Sequence, residues 1–254
     1  YPWMGFETFL SESDFTDPVL IRNYISDESD YDRIIEEYEK AKASSADPFY
    51  LFNVTMQNHG GYTQDFDNLP MDIHITTEGI DYPEAERYLN LVHISDMATQ
   101  KLISYFESID DPTVIVMFGD HQPGLSTHFY NTILQRKTGS LSAEEKMCMY
   151  YTPFFIWTNY DIEEQDNVTT SLNYLQTLML DTAGMKMSGY NKFLKELMQT
   201  VPRIAAGGYW GADGNFYQVS DKSSPFYEEV KNYRILCYNH LFDVKNRSRI
   251  FDLS

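Results

Sequence analysis

The 254-residue chain carries 38 Asp and Glu residues against 19 Lys and Arg residues, which gives a formal net charge of -19 at neutral pH. This acidic surplus excludes a nucleic-acid partner, because phosphate backbones are bound by clustered Lys and Arg side chains. Hydrophobic residues make up 43% of the sequence, enough for a globular core. No run approaches the ~20 consecutive apolar residues of a membrane-spanning helix. Because the chain is so acidic, an anionic substrate would need a bound metal to supply local positive charge.

The first part of the sequence predicts a helix followed by a buried strand. Residues 30–43 are rich in Glu, Lys and Tyr, with apolar residues at helical spacing, which is typical of a surface helix. Pro48–Met56 is a short apolar and β-branched run, and it predicts a buried strand. The strand is expected to end in the loop Gln57–Tyr62.

A second helix and strand follow in the same order. Pro83–Ser108 has apolar residues on one helical face, and Asp110-Asp111-Pro112 then ends the predicted helix. Thr113–Phe118 is mostly apolar without alternation, as expected for a strand in a sheet with both faces covered. This strand is expected to end in the polar loop Gly119–Gly124.

The remaining sequence continues this alternation and then changes character. Residues 143–151, 169–183 and 188–199 predict helices, and Thr152–Trp157 predicts a strand whose Pro favours an edge position. Alternating helices and buried strands predict an α/β fold with a largely parallel sheet flanked by helices.

The last part of the sequence predicts a separate small extension. A hairpin turning at Asp213-Gly214 and a final helix from Ser224 to about Leu241 indicate an α+β segment at the C-terminus. We therefore predict one catalytic-type domain over residues 1–200 and a C-terminal extension over residues 201–254.

Polar residues directly after buried strands are the first candidates for a site, because ligands of open parallel sheets bind beyond the strand ends. Asp120 and His121 follow one predicted strand, and Asn58 and His59 follow another. An Asp-His pair offers a carboxylate oxygen and an imidazole nitrogen, which suit Mn²⁺ or Zn²⁺ if two further ligands converge. Taken alone, such a pair is more often a turn with an exposed His. The apolar strand and the tight exit at Gly119 favour a metal-binding loop here.

Three segments resemble one family. Val114–His121 resembles the Gly-Asp-His metal motif of lipoteichoic acid synthases and related phosphoglycerol transferases, in the alkaline phosphatase/sulfatase superfamily. Asn53–Tyr62 resembles the strand and Thr-x-x-Asn-His loop of that family, and Thr152–Ile156 resembles its later Val-Pro-Phe-Phe-Ile strand. The resemblance covers about residues 1–200 and implies an alkaline phosphatase/sulfatase-like fold.

The resemblance also implies roles for the candidate residues. Asp120 and His121 would be metal ligands, with Mn²⁺ as the first choice and Zn²⁺, Mg²⁺ and Ca²⁺ as alternatives. His59, together with Asn58, would bind the phosphate or phosphoglycerol group. The nucleophilic Thr and a metal-binding Glu of the family have no counterpart here, so the resemblance implies that they precede this chain. We expect the chain alone to be inactive for that reason.

The function implied by the resemblance is metal-dependent transfer of phosphoglycerol, or a related phospho-head group, from a membrane lipid to a cell-envelope glycan. The implied lipid is anionic, such as phosphatidylglycerol. The implied location is the extracellular face of a bacterial membrane, with an anchor in upstream transmembrane segments and the upstream half of the domain as a partner.

Two other functions stay open from the sequence. One is a sulfatase or phosphodiesterase, in which water rather than a glycan hydroxyl resolves the intermediate. The other is a non-catalytic module that binds anionic glycans, which is motivated by the missing nucleophile and by the aromatic residues Tyr209 and Trp210.

Overall fold

The computed structural model describes residues 4–76, 81–243 and 245–253. The chain forms two compact units. Unit 1 comprises Tyr1–Asp110 and Pro123–Thr138, and unit 2 comprises Asp111–Gln122 and Gly139–Ser254. Among the described residues, no helix combines the length and the apolar character that crossing a bilayer requires.

Unit 1 contains helices and one short hairpin. Its elements are β1 (Leu20–Ile21), β2 (Tyr24–Ile25), α1 (Asp27–Ser44), α2 (Pro83–Glu107) and α3 (Thr127–Ile133). β1 and β2 pair antiparallel, and α1 packs against α2. α1 begins after Ser26, whose hydroxyl accepts a hydrogen bond from the Ser29 N–H at 3.2 Å. The predicted helices 30–43 and 83–108 are both confirmed.

A small core holds the loop after residue 56 against α2. Ile21, Tyr62, Leu69 and Leu91 are all buried in this cluster, and Leu91 has no exposed surface. The Tyr62 hydroxyl donates to the Asn58 carbonyl oxygen at 2.7 Å. One end of the loop is therefore fixed by a buried aromatic side chain.

The prediction of a buried strand over Pro48–Met56 is wrong. This segment is not part of any strand, and Tyr50, Phe52 and Val54 are 72%, 56% and 67% exposed. A strand is defined by hydrogen bonds to a neighbouring strand, and composition shows only that a segment suits a sheet. The apolar run in this chain thus has the composition of a strand without a partner among the described residues.

Unit 2 contains the remaining helices and two small sheets. Its elements are β3 (Val114–Phe118), α4 (Ala143–Met147), β4 (Phe154–Thr158), α5 (Leu172–Thr182), α6 (Gly189–Thr200), β5 (Arg203–Ala205), β6 (Gly208–Trp210), β7 (Phe216–Tyr217) and α7 (Tyr227–Phe242). β3 pairs with β4 antiparallel, with Val116 opposite Ile156. β5, β6 and β7 form an antiparallel sheet. The predicted strands over residues 113–118 and 152–157 are confirmed.

The prediction of a largely parallel sheet is not confirmed. Every paired strand in the described part of the chain is antiparallel to its neighbour. Parallel neighbours come from helix-linked units, and the earlier unit of this kind, the segment 48–56, forms no strand. β3 pairs with β4, which follows it in the chain.

The core of unit 2 joins α5 and α6 to the last part of the chain. Tyr174, Leu194 and Val201 are buried together with Tyr209 and Val230. The predicted hairpin is present as β6 and β7, with Gly214 in a turn at a φ of 79°. The final helix predicted from Ser224 is α7. The division into domains 1–200 and 201–254 stays a prediction.

Candidate functional site

The predicted metal pair lies in the loop after β3, and the segment before β4 holds this loop. The Gly119 N–H donates to the Pro153 carbonyl oxygen at 3.1 Å. The Gln122 side-chain amide donates to the Tyr151 carbonyl oxygen. A Cβ atom on Gly119 would lie 3.1 Å from the Thr152 Cβ, so glycine allows the two segments to approach closely. The residues on both sides of the pair are therefore anchored.

Within the pair, the hydrogen bonds of His121 determine which ring nitrogen faces Asp120. The His121 Nδ1 is 2.8 Å from the Gln122 carbonyl oxygen. A carbonyl oxygen only accepts, so Nδ1 carries the proton and the neutral ring has its lone pair on Nε2. Nε2 lies 3.5 Å from Asp120 Oδ2, while Asp120 Oδ1 accepts from the His121 N–H at 2.8 Å. The lone pair on His121 Nε2 and the carboxylate oxygen Oδ2 of Asp120 thus face each other.

This arrangement fits part of a metal site. A ligating His usually donates its other ring N–H to a carbonyl or carboxylate, and His121 does so. Both side chains are accessible, at 82% exposure for Asp120 and 65% for His121. No group of three or more His, Cys, Asp or Glu side chains within residues 4–76, 81–243 and 245–253 could hold a metal. Two ligands are fewer than a closed tetrahedral site needs, so among the described residues the pair could form only part of such a site.

Asp120 lines a large open cleft in unit 2. The cleft has a volume of about 1320 Å³, and its lining includes Arg203, Trp210, Glu163 and Glu164. The Arg203 guanidinium lies 4.2 Å from the centre of the Trp210 ring. The cleft is large enough for a phospholipid head group or a sugar unit.

In unit 1, Arg22 fixes the loop that carries Asn58 and His59. The side chain is 5% exposed, and the backbone adopts a φ of 56°. Its guanidinium donates to the carbonyl oxygens of Gln57 at 2.6 Å, His59 at 2.7 Å and Gly61 at 3.3 Å. A buried cation is normally paired with a carboxylate. In this chain, backbone carbonyl oxygens accept the hydrogen bonds of the guanidinium instead. Arg22 therefore shapes the loop around His59.

Tyr24 is the side-chain neighbour of the His59 ring. Its hydroxyl lies 3.3 Å from His59 Nδ1, and the ring centres are 5.8 Å apart. The Arg22 guanidinium lies 5.3 Å from the centre of the Tyr24 ring. When Tyr24 donates to Nδ1, the neutral His59 ring carries its proton on Nε2. The imidazole then offers an N–H donor on its far side.

Arg22 and Tyr24 were not among the site residues predicted from the sequence. They lie in a short segment without a motif, and their contacts to the loop span 35 to 39 residues. One signal was available: Arg22 is a lone charge in the apolar run Val19–Ile25, which is the pattern of a buried cation.

The Asn58 side chain faces an internal polar network. Its amide nitrogen donates to the Ser95 hydroxyl at 2.8 Å, and the Gln57 amide nitrogen donates to the same oxygen at 3.1 Å. The Ser95 hydroxyl donates to Asp27. Burial raises the pKa of Asp27 to about 6, and the Ser95 hydrogen bond partly opposes this rise. Asn58 thus ties the loop to α1 and α2.

The structure brings the members of each predicted pair together within one unit. Asn58 and His59 lie in unit 1, whereas Asp120 and His121 lie in unit 2. Each pair has its own supporting residues, which are Arg22, Tyr24 and Ser95 for the first and Gln122 for the second.

A match to a family profile shows which protein family the chain belongs to. The sulfatase family profile matches residues 1–185. The chain belongs to the sulfatase family. The match includes the loop with Asn58 and His59 and the loop with Asp120 and His121, so both predicted pairs lie in the sulfatase domain.

This sulfatase-family chain spans only part of the length of two known proteins that it resembles. A protein of Rhizobium meliloti (strain 1021), described as "Putative cyclic beta-1,2-glucan modification protein", is 31% identical over 207 residues. That match covers 76% of this chain and 30% of the relative. The structure of the Streptococcus pyogenes phosphoglycerol transferase GacH, in complex with sn-glycerol-1-phosphate, has a TM-score of 0.64 at 19% identity. The structural match covers 94% of this chain and 56% of the GacH chain. The fold is therefore alkaline phosphatase/sulfatase-like.

Proposed function

We propose that the protein carrying this chain transfers phosphoglycerol, or a related phospho-head group, from a membrane lipid to a cell-envelope glycan with the help of a metal ion. The Asp120–His121 pair carries the proposal, because its carboxylate oxygen and its imidazole lone pair face each other at 3.5 Å. The Rhizobium relative is described as a glucan modification protein, and GacH is a phosphoglycerol transferase with a bound glycerol phosphate. Both descriptions support the same class of reaction.

Asp120 and His121 are the proposed metal ligands. Mn²⁺ is the first choice, and Zn²⁺, Mg²⁺ and Ca²⁺ are the alternatives for an oxygen and nitrogen donor pair. A bound ion would supply the positive charge that an anionic phosphate needs in a chain with a net charge of -19. The hydrogen bond from His121 Nδ1–H to the Gln122 carbonyl oxygen keeps the imidazole ring oriented for this role.

His59 is the proposed donor to the phosphate. With Tyr24 donating to Nδ1, the Nε2–H can donate to a phosphoryl oxygen and stabilise its negative charge. Asn58 is proposed as its partner at the substrate, and its hydrogen bond to Ser95 holds the loop in place. Arg22 fixes the same loop through three carbonyl oxygens.

The rest of the machinery is assigned to the remainder of the longer protein. We propose that the nucleophilic Thr, a further metal-binding Glu and the parallel strands of the sheet lie upstream. The extracellular face of a bacterial membrane, with an upstream anchor, belongs to the same proposal. The greater length of both relatives supports it.

The test is release of diacylglycerol from fluorescent phosphatidylglycerol by the full-length protein with added Mn²⁺. We expect Asp120→Ala to lower turnover by at least about 100-fold, since one of the ligands is lost. Glu196→Ala is the matched control, because Glu196 is an exposed carboxylate in the same unit outside the lining of the cleft, and it should keep wild-type turnover. Equal turnover in the Asp120→Ala and wild-type proteins would contradict the proposal.

The products of the same assay separate transfer from hydrolysis. Polymer-attached glycerol phosphate indicates a transferase, and free glycerol phosphate indicates the hydrolase that the sulfatase family match also allows. Tight binding of an anionic glycan without any turnover would favour a non-catalytic binding module.

A further inference from the structure

The unit 2 cleft beside Asp120 contains buried polar atoms that the described residues do not satisfy. Thr170 and Asn173 both line this cleft. The Thr170 hydroxyl oxygen and both amide atoms of Asn173 are buried without a hydrogen-bond partner. The Asn173 amide approaches the hydroxyls of Tyr174 and Tyr233, but neither contact reaches hydrogen-bond geometry. Buried polar atoms are normally paired, so these three atoms are candidates for contact with a ligand.

Arg203 is held in a fixed position in the lining of the same cleft. The pairing of β5 with β6 places Arg203 opposite Trp210, and the guanidinium lies 4.2 Å from the centre of the Trp210 ring. One guanidinium N–H donates to the Tyr151 hydroxyl at 2.7 Å. No carboxylate pairs with Arg203 in the described part of the chain, so its other N–H groups can donate to a ligand.

A hydrogen bond joins these groups into one wall of the cleft. The Ile204 N–H donates to the Ser171 hydroxyl oxygen at 2.9 Å, which ties β5 to the segment with Thr170 and Asn173. Tyr150 also lines the cleft and is 71% exposed. Sugar hydroxyls both donate and accept hydrogen bonds, and the C–H face of a sugar packs on an aromatic ring. The hydroxyl, amide, guanidinium and aromatic groups of this wall therefore match a carbohydrate.

The charge of the lining distinguishes an uncharged glycan from an anionic one. Among the described residues the lining has two Arg, no Lys or His, and five carboxylates, which belong to Asp120, Asp161, Glu163, Glu164 and Asp166. Carboxylates accept hydrogen bonds from hydroxyl groups, whereas they repel phosphate and carboxylate groups. The volume of about 1320 Å³ exceeds the ~300–1,000 Å³ of most small-molecule pockets, which leaves room for more than one sugar unit.

We propose that this cleft binds the acceptor of the transfer reaction, and that the acceptor is an uncharged glycan. The inference rests on the proposed function, because the proposed metal ligand Asp120 lines the same cleft. In the net reaction a sugar hydroxyl oxygen forms a bond to the phosphorus of the donor lipid. The bond from phosphorus to the diacylglycerol oxygen breaks, and the proton of the sugar hydroxyl ends on diacylglycerol.

The same charge predicts the addition of single phosphoglycerol units. The product carries a phosphodiester, which is negatively charged. A second transfer onto that unit would bring an anion into an acidic cleft, where like charges repel. We therefore expect separate phosphoglycerol units on the glycan, and not a growing phosphoglycerol chain. Mass spectrometry of the products measures this, and chains of two or more units would contradict the proposed acceptor.

The test of the cleft itself is calorimetric titration of the full-length protein with glucohexaose, and with glucohexaose that carries one phosphate. We expect glucohexaose to bind at least about fivefold more tightly in about 10 mM NaCl, and the difference to shrink in about 200 mM NaCl. Thr170→Val and Asn173→Leu remove the unpaired atoms at similar volume. Each should weaken glucohexaose binding at least about fivefold, while the melting temperature stays the same or rises.

Thr200→Val is the matched control for Thr170→Val. Thr200 lies outside the lining, and its hydroxyl donates to the Leu197 carbonyl oxygen at 3.2 Å. The control should lower the melting temperature and leave glucohexaose binding unchanged, which is the opposite of the result expected for Thr170→Val. A purely structural role of Thr170 would instead lower the melting temperature of Thr170→Val as well.

Three results would overturn the acceptor site: no glucohexaose binding, wild-type affinity in both Thr170→Val and Asn173→Leu, or equal or tighter binding of the phosphorylated probe. If the upstream half of the protein occupies the cleft, the first or the second result will be observed. Titration needs no turnover. Diacylglycerol release without glycan binding would therefore overturn the acceptor site alone, and glycan binding without diacylglycerol release would overturn the proposed enzyme function alone.

Discussion

Asp27 is the most deeply buried carboxylate among the groups that support the His59 loop. It is 2% exposed at the first position of α1. Burial raises its pKa to about 6, the Ser95 hydrogen bond opposes the rise, and the charge of Asp30 adds to it. Because Ser95 also accepts from Asn58, the protonation of Asp27 is connected to the loop through one hydroxyl.

This raised pKa gives stability a defined pH dependence. The folded state keeps the Asp27 proton up to about pH 6, whereas the unfolded state loses it near the ordinary aspartate pKa of 3.8. The contribution to stability is therefore fully present below the unfolded pKa and is lost as pH rises through the folded pKa. Other carboxylates titrate in the same range, so the effect must be isolated by comparison with Asp27→Asn.

We expect Asp27→Asn to gain stability relative to wild type as pH rises. Between about pH 5 and about pH 8 the difference in the free energy of unfolding should shift by about 1.4 kcal/mol in favour of the variant. Urea unfolding at several pH values measures it. Asp161→Asn, at an exposed position, is the control and should show a constant difference. A constant difference for Asp27→Asn as well would contradict the assigned pKa.

Tyr24 is predicted to act through His59. Tyr24→Phe removes the hydroxyl 3.3 Å from Nδ1 and should lower the kcat of the full-length protein by about tenfold, because the ring loses its orientation. Tyr50→Phe, at a residue that is 72% exposed, should have no effect. Kinetics of the variants measure both.

A double variant distinguishes positioning from general destabilisation. If Tyr24 acts only through the imidazole, adding Tyr24→Phe to His59→Ala should cost no further activity. If Tyr24→Phe and His59→Ala lower kcat by independent factors that multiply in the double variant, Tyr24 acts by a route that does not involve His59.

Among the secondary-structure elements, the long helices and the strands β3 and β4 were predictable because their signals are local, whereas the antiparallel pairing of these two strands was not. α2 begins at Pro83, where a missing N–H costs nothing, and ends before Asp110-Asp111-Pro112. The apolar run 48–56 shows the limit of such signals. Its composition suits a strand, yet pairing depends on a neighbour that composition does not reveal.

The candidate site was predictable in part for the same reason. Asp120, His121, Asn58 and His59 follow apolar runs and form recognisable short motifs. The contacts of the His59 loop with Arg22 and Ser95 join residues 35 to 39 positions apart. No local pattern encodes such contacts, so the partners of these residues became visible only in the structure.

Gly208 tests whether β6 belongs to the packed core of unit 2. A Cβ atom at this position would lie 2.3 Å from the Phe216 ring and 2.7 Å from the Tyr217 carbonyl oxygen. Gly208→Ala should therefore destabilise unit 2 by about 2 kcal/mol, since ring and backbone must shift. Gly139→Ala is the matched control, because nothing lies within 4 Å of its added Cβ. Thermal unfolding compares the two, and equal midpoints would contradict tight packing at β6.

For the whole molecule, the charge distribution has consequences for an anionic substrate. The net charge is -19, and Glu163 and Glu164 line the same cleft as Asp120. This negative field repels a phosphate that approaches the cleft. At 0.1 M salt the repulsion is screened with a Debye length of about 10 Å. The proposed metal offsets the repulsion only at short range.

The sign of the salt effect on turnover is therefore the last prediction. For a soluble short-chain phosphatidylglycerol, kcat/KM of the full-length protein should rise about two- to fivefold as NaCl increases from about 10 mM to about 200 mM. A monomeric substrate is essential, because any binding of the protein to charged vesicles would itself change with salt over the same range. Glu163→Gln combined with Glu164→Gln should raise kcat/KM at low salt and flatten its rise. A decrease of kcat/KM with salt for the monomeric lipid would show that local positive charge, and not the acidic surplus, controls substrate approach.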